Sequence, residues 1–392
     1  KIRKSDLLFG SKRKYGYINY YKMKRSIYHF SVGNGNCSVI EADQSFVMVI
    51  DLNHSEEFDS TYEMLKPYFR IDENDKEVID ILLITHGDYD HCLGFSEFRD
   101  KIESGDLIIG TIWHQGYDRR KYENIADLED DYIALEEELD RRRSITNPGF
   151  GDYQEALTAN VIPQFHDIPV PEDFEMVVLN PTNSDVEDAE RGLNDLSCIV
   201  RINLKELLWL LYAGDGESTI WQERIIPSYV ENNTLKAESK YFIVPHHGSY
   251  TFFDQDRDAV READPYPDNY VAMNYINPEQ LILSAKDIFP TSRDQSGDDP
   301  PHYAAWKWYH KWFEDNRSVN VEDKHPKEFS YTSEGHIKLD LVGNIWVIDK
   351  DYKHNKDSRL RELGQKLGSA VGASGITIRG SSTSSVRSYG KV

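Results

Sequence analysis

Four side chains that can bind a metal ion lie within one six-residue segment of the sequence. An apolar stretch, 81–84, is followed almost at once by His86, Asp88, Asp90 and His91. Imidazole and carboxylate are ligands that divalent cations such as zinc, manganese and magnesium prefer. A strand end is also a rigid place from which such ligands can converge. The segment therefore predicts a metal site and hydrolysis by a metal-activated water.

Two later strand-like stretches end in the same kind of residue. Asp215 follows 206–213, and the pair His246 and His247 follows 241–244. A single Asp after a strand is usually a turn residue, and a His pair before Gly-Ser is usually part of a loop. Three such strand ends in one chain are difficult to obtain by chance, so we favour a shared functional site.

The elements that would position these residues are strands interspersed with helices. Val/Ile-rich and aromatic runs bounded by turn residues predict the strands, over 27–32, 37–41, 46–51, 78–85, 174–180, 196–202, 206–213, 241–244 and 280–284, with a hairpin over 336–348. Helices are predicted over 61–69, 122–143 and 304–313. This order indicates mixed layers of sheet and helix.

Two helical segments allow more than one interpretation. In 122–143, apolar residues recur at intervals of four, three and four, which is typical of an amphipathic helix. We favour packing on the core over a coiled-coil dimer, because the helix is short. The aromatic run 306–313 could stack on nucleic-acid bases. At helical spacing, however, Trp308 and Trp312 more often pack a core, and we favour that reading.

Several motifs together resemble the metallo-β-lactamase fold, in its ComEC-like branch. The segment 85–91 is similar to the Thr-His-x-His-x-Asp-His signature, with Asp in place of the second His. Four shorter motifs match that branch in order and approximate spacing, namely 32–37, 194–197, 213–215 and 245–249. Two departures are Asn36, where relatives carry Asp, and the lack of a Lys directly before the His pair.

The resemblance implies an α/β fold, an αββα sandwich, over residues 26–350. A helical insertion at about 115–165 lies outside the shared part. So do a basic N-terminal extension, 1–25, and a basic, Gly/Ser-rich C-terminal tail, 351–392.

The resemblance also implies a two-metal site. His86 and Asp88 would hold one ion, and Asp90, His91 and His246 the other. Asp215 would bridge the two ions, and Asp90 would also orient the attacking water. These residues are the expected metal ligands: His86, Asp88, Asp90, His91, Asp215 and His246.

Other roles are left open by the sequence. His247 or His302 could protonate the leaving group, but His247 could equally orient a ligand. The mid-chain His ligand of the family has no obvious counterpart; Asn194 or Asp195 occupies its region, and His114 and His166 are less favoured. The Asp-rich ligand set favours Mn²⁺ or Mg²⁺ somewhat, although Zn²⁺ also fits.

Charge and composition bear on the class of substrate and on the cellular compartment. The chain has 392 residues and a net charge of −23; residues 1–25 carry +8 and 352–392 carry +6, which leaves −37 between them. The acidic central part of the chain would repel the phosphate backbone of a nucleic acid at long range. Three widely spaced cysteines and the lack of a long apolar run favour reduced thiols, the cytoplasm and no membrane contact.

Three functions remain open at this point. The first is a metal-dependent phosphodiesterase or nuclease acting on nucleic acid or a nucleotide. The second is a hydrolase of a small ester, lactone, thioester or nucleotide, which an acidic surface suits better. The third is a non-catalytic, metal-binding interaction module. The insertion or the termini could also recruit a protein partner.

Overall fold

The structure, a computed structural model, describes most of the chain between Arg25 and Tyr352. The described ranges are 25–42, 45–188, 191–204, 209–234, 236–256, 266–320, 322–342, 345–349 and residue 352. The predicted extension over 1–25, apart from Arg25, and the predicted tail, apart from Tyr352, lie outside them. So do residues 206–208 of the predicted strand 206–213.

Nine strands form the first sheet in the described part of the chain. They are β1 (Arg25–His29), β2 (Ser38–Ala42), β3 (Phe46–Ile50), β4 (Arg70–Ile71), β5 (Glu77–Leu83), β6 (Leu107–His114), β7 (Tyr153–Ala156), β14 (Ile337–Val342) and β15 (Ile345–Asp349). Their order is β15-β14-β1-β2-β3-β5-β6-β7, with β4 paired to β5. The strands β3, β5, β6 and β7 run parallel to one another.

The second sheet has six strands. They are β8 (Phe174–Asn180), β9 (Ile199–Leu204), β10 (Trp209–Tyr212), β11 (Tyr241–Ile243), β12 (Gln280–Leu283) and β13 (Phe329–Tyr331). Their order is β13-β12-β11-β10-β9-β8, and β10 to β13 are parallel.

The helices lie between these strands in the chain. They are α1 (Thr61–Leu65), α2 (Tyr89–Cys92), α3 (Phe95–Ser104), α4 (Asp130–Arg143), α5 (Asn183–Val186), α6 (Ser218–Ile220), α7 (Ile226–Asn232), α8 (Ala272–Ile276) and α9 (Tyr303–Arg317). A π-helical turn, Trp221–Ile225, joins α6 to α7. Within the described residues, no helix has the length and apolar character needed to cross a membrane.

Alternating side chains on the central strands build four layers. Leu83 of β5 and Ile243 of β11 face the core between the two sheets. Their neighbours point outwards: Leu82 packs under α1, α3 and α4, and Phe242 packs under the aromatic helix α9. This period of two, with helices covering both outer faces, gives the expected αββα sandwich.

Both helical segments that allowed two interpretations pack on the core of the protein. Helix α4 begins at Asp130 and not at 122, because the residues before it form two short 3₁₀ turns. Its apolar residues, including Tyr132 and Leu135, join the core beside the first sheet. In α9, Trp308 and Trp312 are buried in the outer core of the second sheet. Both helices therefore pack on the core, as the favoured reading predicted.

Candidate metal centre

A buried carboxylate at the end of β3 organises the loop after β5. Asp51 Oδ1 accepts the backbone N–H of Thr85 at 2.7 Å, and Oδ2 accepts the Thr85 hydroxyl at 2.8 Å. Oδ2 also lies 2.9 Å from Nδ1 of His91. A proton on Nδ1 satisfies this contact and leaves the Nε2 lone pair of His91 free. Asp51 thus orients His91 as the carboxylate of a carboxylate–histidine–metal triad would.

The loop after β5 and the loop after β10 converge on a first group of possible ligand atoms. This group comprises His86, His91 and Asp215, whose ligand atoms all lie within 4.8 Å of one another. Nε2 of His86 is 3.7 Å from Asp215 Oδ2, and Nε2 of His91 is 3.2 Å from Asp215 Oδ1. Asp88 lies at its edge, with Oδ2 3.5 Å from His86 Nε2. Asp215 therefore faces both histidines at once.

The loop after β11 contributes to a second group. It comprises Asp90, His91 and His247, again with ligand atoms within 4.8 Å of one another. Nε2 of His247 is 3.0 Å from Asp90 Oδ2 and 3.7 Å from Asp215 Oδ2. Because His91 belongs to both groups and Asp215 contacts both, the two groups form one continuous cluster.

The polar atoms of this cluster fit bound cations. Within the described residues, four buried atoms of the cluster have no hydrogen-bond partner: Nε2 of His86, Nε2 of His91, Nε2 of His247 and Oδ1 of Asp215. Leaving a buried polar atom unsatisfied costs about 1–3 kcal/mol. Nitrogen lone pairs and carboxylate oxygens are the donors that divalent cations need, so metal binding would satisfy all four atoms.

The charges of the cluster are strongly coupled. Burial alone would raise the pKa of Asp215, but His91, His247 and His86 hold that pKa well below its usual range. Burial would lower the pKa of His91, yet Asp215, Asp51 and Asp90 together raise it well above the usual value. The carboxylates are therefore ionised, and positive charge at the centre of the cluster is strongly favoured.

The two histidines of the pair occupy different places. The sequence predicted His246 as the ligand and His247 as an acid or an orienting residue. In the structure His247 is the one grouped with Asp90 and His91. Nε2 of His246 is 3.9 Å from Asp215, while its Nδ1 faces Glu217 at 3.4 Å. The geometry thus favours His247 as the ligand.

The glycine-rich turn before β2 supports His247. Nδ1 of His247 lies 2.9 Å from the carbonyl of Ser284 and 3.1 Å from the backbone N–H of Gly35. Nδ1 can accept the Gly35 N–H or donate to Ser284, depending on the tautomer, and the tautomer that donates to Ser284 leaves Nε2 free for a cation. A Cβ at position 35, where φ is +145°, would lie 1.9 Å from the side chain of Asn53. Only glycine allows the turn to approach this closely.

The motif before β9 positions Asp215. The Ser197 hydroxyl accepts the backbone N–H of Asp215 at 3.1 Å, and the Cys198 N–H donates to the Thr85 carbonyl at 2.7 Å. Gly214, with φ of +50°, packs against Ser197 so tightly that a Cβ would lie 2.9 Å from its side chain. These contacts connect the ends of β5 and β10 across the sandwich.

The other histidines that the sequence suggested, His302, His114 and His166, lie outside the cluster. Nδ1 of His302 accepts the Tyr250 N–H at 3.3 Å, and its Nε2 is 2.8 Å from the Asp298 carbonyl. His114 is paired with Gln154, and His166 stacks on Tyr153. The structure therefore does not bring the predicted acid His302 into the cluster, because backbone groups engage both of its ring nitrogens.

The region of the missing mid-chain ligand contains an acid that the sequence analysis overlooked. Glu217, two residues after Asp215, accepts hydrogen bonds from Asn194 at 3.2 Å and Gln255 at 2.8 Å, and it faces His246. An acid two residues after a predicted metal ligand is a pattern from which the sequence could have indicated Glu217 as a site residue. Glu217, held in place by Asn194 and Gln255, thus lies beside Nδ1 of His246.

We expect Asp51→Asn to weaken metal binding by roughly 10–100-fold, as loss of an orienting partner generally does. The amide has the size of the carboxylate, but it offers a single acceptor oxygen and no charge to hold Nδ1–H of His91. Titration of metal-free protein with Mn²⁺ in a calorimeter measures the effect. Asp72→Asn, in the distant turn before β5, is the matched control, and equal affinities for the two variants would contradict the assignment.

Part of the chain matches a known family model. Residues 31–171 match the family model described as Metallo-beta-lactamase superfamily. A similar solved structure is the metallo-beta-lactamase fold protein YhfI from Bacillus subtilis, with 11% identity and a TM-score of 0.36 over 66% of this chain and 85% of that one. No curated protein shows a significant match.

The matched segment covers part of the candidate metal centre. It contains His86 to His91 and also helix α4, while Asp215 and His247 lie beyond it. Residues 31–171 therefore match the superfamily's pattern. Proteins of that superfamily are mostly metal-dependent hydrolases and typically bind divalent cations, often zinc.

Proposed function

We propose that the protein is a two-metal phosphodiesterase or nuclease of the ComEC-like branch. The observation that carries this proposal is the cluster itself. Buried imidazole and carboxylate atoms from three strand ends face one another, and several of them have no hydrogen-bond partner in the described part of the chain. An all-protein hydrogen-bond network would not leave these atoms unsatisfied.

The ligands divide between two positions. His86 and Asp88 would hold one cation, and Asp90, His91 and His247 the other, with Asp215 between them. When bound, a pair of divalent cations lowers the pKa of water and neutralises charge on phosphate oxygens. The mixture of Asp and His suits Mn²⁺ or Zn²⁺, and Mg²⁺ is a third candidate.

Two partly exposed residues can act on the substrate directly. The Asp90 side chain is 32% exposed, so one of its oxygens can accept a hydrogen bond from the attacking water. The His246 side chain is 25% exposed and is held by Glu217 and by Thr251. We assign His246 the role of hydrogen-bond donor to the leaving group, in place of His302.

A second candidate, hydrolysis of a small ester or nucleotide, is favoured by charge. The net charge is −23. Among the described residues, Arg119 is the only Lys or Arg that forms an ion pair with a residue of the cluster. A long nucleic-acid strand would therefore meet repulsion outside the site, whereas a small substrate would not.

An assay of the purified chain separates these functions. Metal-free protein is loaded with Mn²⁺ or Zn²⁺ and tested on single-stranded DNA, RNA, a cyclic dinucleotide, bis(p-nitrophenyl) phosphate and p-nitrophenyl acetate. We expect cleavage of phosphodiesters that a chelator abolishes and added metal restores. Cleavage confined to the carboxylic ester would contradict the phosphodiesterase proposal, and failure to bind metal would indicate a non-catalytic module.

A further inference from the structure

The segment after β6 returns to the metal-ligand loop through one arginine. Nη1 of Arg119 donates a 2.8 Å hydrogen bond to the carbonyl of Gly87 and lies 3.7 Å from Oδ1 of Asp88. The other oxygen of Asp88, Oδ2, faces His86. Arg119 therefore contacts the outer side of a carboxylate whose inner side points at the cluster.

The guanidinium group of Arg119 is already saturated by protein groups. Nε and Nη2 donate to the two carboxylate oxygens of Glu123 at 2.8 and 2.9 Å, and Nη1 lies 3.2 Å from Glu129. The side chain is only 10% exposed. With every nitrogen engaged, Arg119 is built to hold the loop and not to bind a substrate phosphate.

Tyr132 of helix α4 contacts both partners of the hydrogen bond between Arg119 and Gly87. The Tyr132 hydroxyl accepts the backbone N–H of Arg119 at 2.8 Å and donates to Glu136. The Tyr132 ring lies against Gly87, where an added Cβ would be 2.5 Å from a ring carbon. Since Tyr132 contacts Arg119 and Gly87 together, the insertion holds the loop at a defined distance from the cluster.

We propose that Arg119 is a positioning residue that sets the orientation of Asp88 for one of the two metal sites. The helical insertion then has a second task beside covering the core, namely to rigidify that ligand. The inference rests on the proposed metal centre but concerns metal binding itself and not the substrate.

Loss of the Arg119 side chain has opposite expected effects on metal affinity, depending on whether its charge or its contacts dominate. Removing a positive charge near a cation site should strengthen cation binding. Losing the Gly87 and Asp88 contacts should weaken it, by roughly 10–100-fold for a partner that orients a ligand. The direction of the change therefore distinguishes positioning from simple charge repulsion.

The experiment compares Arg119→Gln with the matched control Arg120→Gln in the full chain. Arg120 belongs to the same insertion and pairs with Asp118, Glu136 and Asp140, but not with the ligand loop. Metal-free proteins are titrated with Mn²⁺ by calorimetry, and electron paramagnetic resonance follows the signal of coupled manganese pairs. Thermal unfolding without metal compares the stability of the two variants.

For Arg119→Gln we expect one equivalent of Mn²⁺ to bind as in the wild type and the other to bind 10–100-fold more weakly. The electron paramagnetic resonance signal of coupled manganese pairs should fall accordingly. Arg120→Gln should bind both equivalents normally. The double variant Arg119→Gln/Glu129→Gln, which restores the net charge, should remain weak. Arg119→Lys keeps the charge with fewer donors and should weaken the same equivalent to a smaller extent.

Unchanged or tighter binding in Arg119→Gln would overturn the proposal while leaving the proposed function intact. Equal weakening in Arg119→Gln and Arg120→Gln would also overturn it, because the effect would then be general to the insertion. If the wild type binds less than one equivalent, the metal centre and the role of Arg119 both fail. Absence of phosphodiesterase activity with normal binding of two equivalents would contradict only the proposed function.

Discussion

Asp215→Asn is expected to remove at least one bound metal equivalent and to reduce hydrolysis by about 10²–10⁴-fold. The Asp215 carboxylate lies within 3.7 Å of ring nitrogens of His86, His91 and His247. Metal coordination stabilises a hydrolytic transition state by several kcal/mol, and each 1.36 kcal/mol corresponds to about tenfold in rate. Metal analysis and turnover of a phosphodiester measure the two effects.

The asparagine variant keeps the size of the side chain, so loss of the fold is not expected to explain the result. Circular dichroism of the metal-free variant checks this point. Asp72→Asn, remote from the cluster, should retain both metals and full activity. Two metal equivalents and near wild-type turnover in Asp215→Asn would contradict the bridging role.

The second large effect concerns the histidine pair. We expect His247→Ala to lose one metal equivalent and about 10²–10³-fold in activity, because Nε2 of His247 lies 3.0 Å from Asp90 inside the cluster. His246→Ala should retain both equivalents and lose activity only through the leaving-group contact. Inductively coupled plasma mass spectrometry, together with the kinetic constants, separates the two variants.

The two variants act as controls for each other, since they truncate the same side chain at adjacent positions. Loss of metal in His246→Ala, with retention in His247→Ala, would reverse the assignment and restore the ligand that the sequence predicted.

The layers and the strand ends were predictable from sequence because they depend on local patterns. Apolar runs such as 78–85 and 241–244 form strands, and their buried positions alternate between the two faces as the pleat requires. Parallel strands end on the same edge of a sheet, so polar residues that follow them come together. In the second sheet this rule brings Asp215, after β10, close to His247, after β11. His86 and His91 follow β5 of the first sheet and meet Asp215 across the sandwich.

The choice between His246 and His247 could not be made from sequence. Both residues have positive φ, +47° and +51°, so the backbone turns sharply between their side chains. The direction of each ring depends on distant partners, with Gly35 and Ser284 beside His247 and Glu217 beside His246. No local pattern encodes such contacts.

Arg119 was equally inaccessible to sequence analysis. An Arg-Arg-Lys run followed by acids is typical of a solvated surface. The structure instead buries Arg119 against Gly87 through the turn that precedes α4. The predicted start of that helix at 122 was wrong for a related reason, since capping side chains Asp118 and Asn124 form separate turns there.

A crystal structure of the protein with Mn²⁺ or Zn²⁺, with anomalous scattering recorded at the metal edge, tests the central claim most directly. The account predicts two anomalous peaks roughly 3.5–4 Å apart, one beside His86 and Asp88 and the other beside Asp90 and His247, with Asp215 between them. Anomalous peaks only at other places on the protein, or none within reach of these side chains, would contradict it.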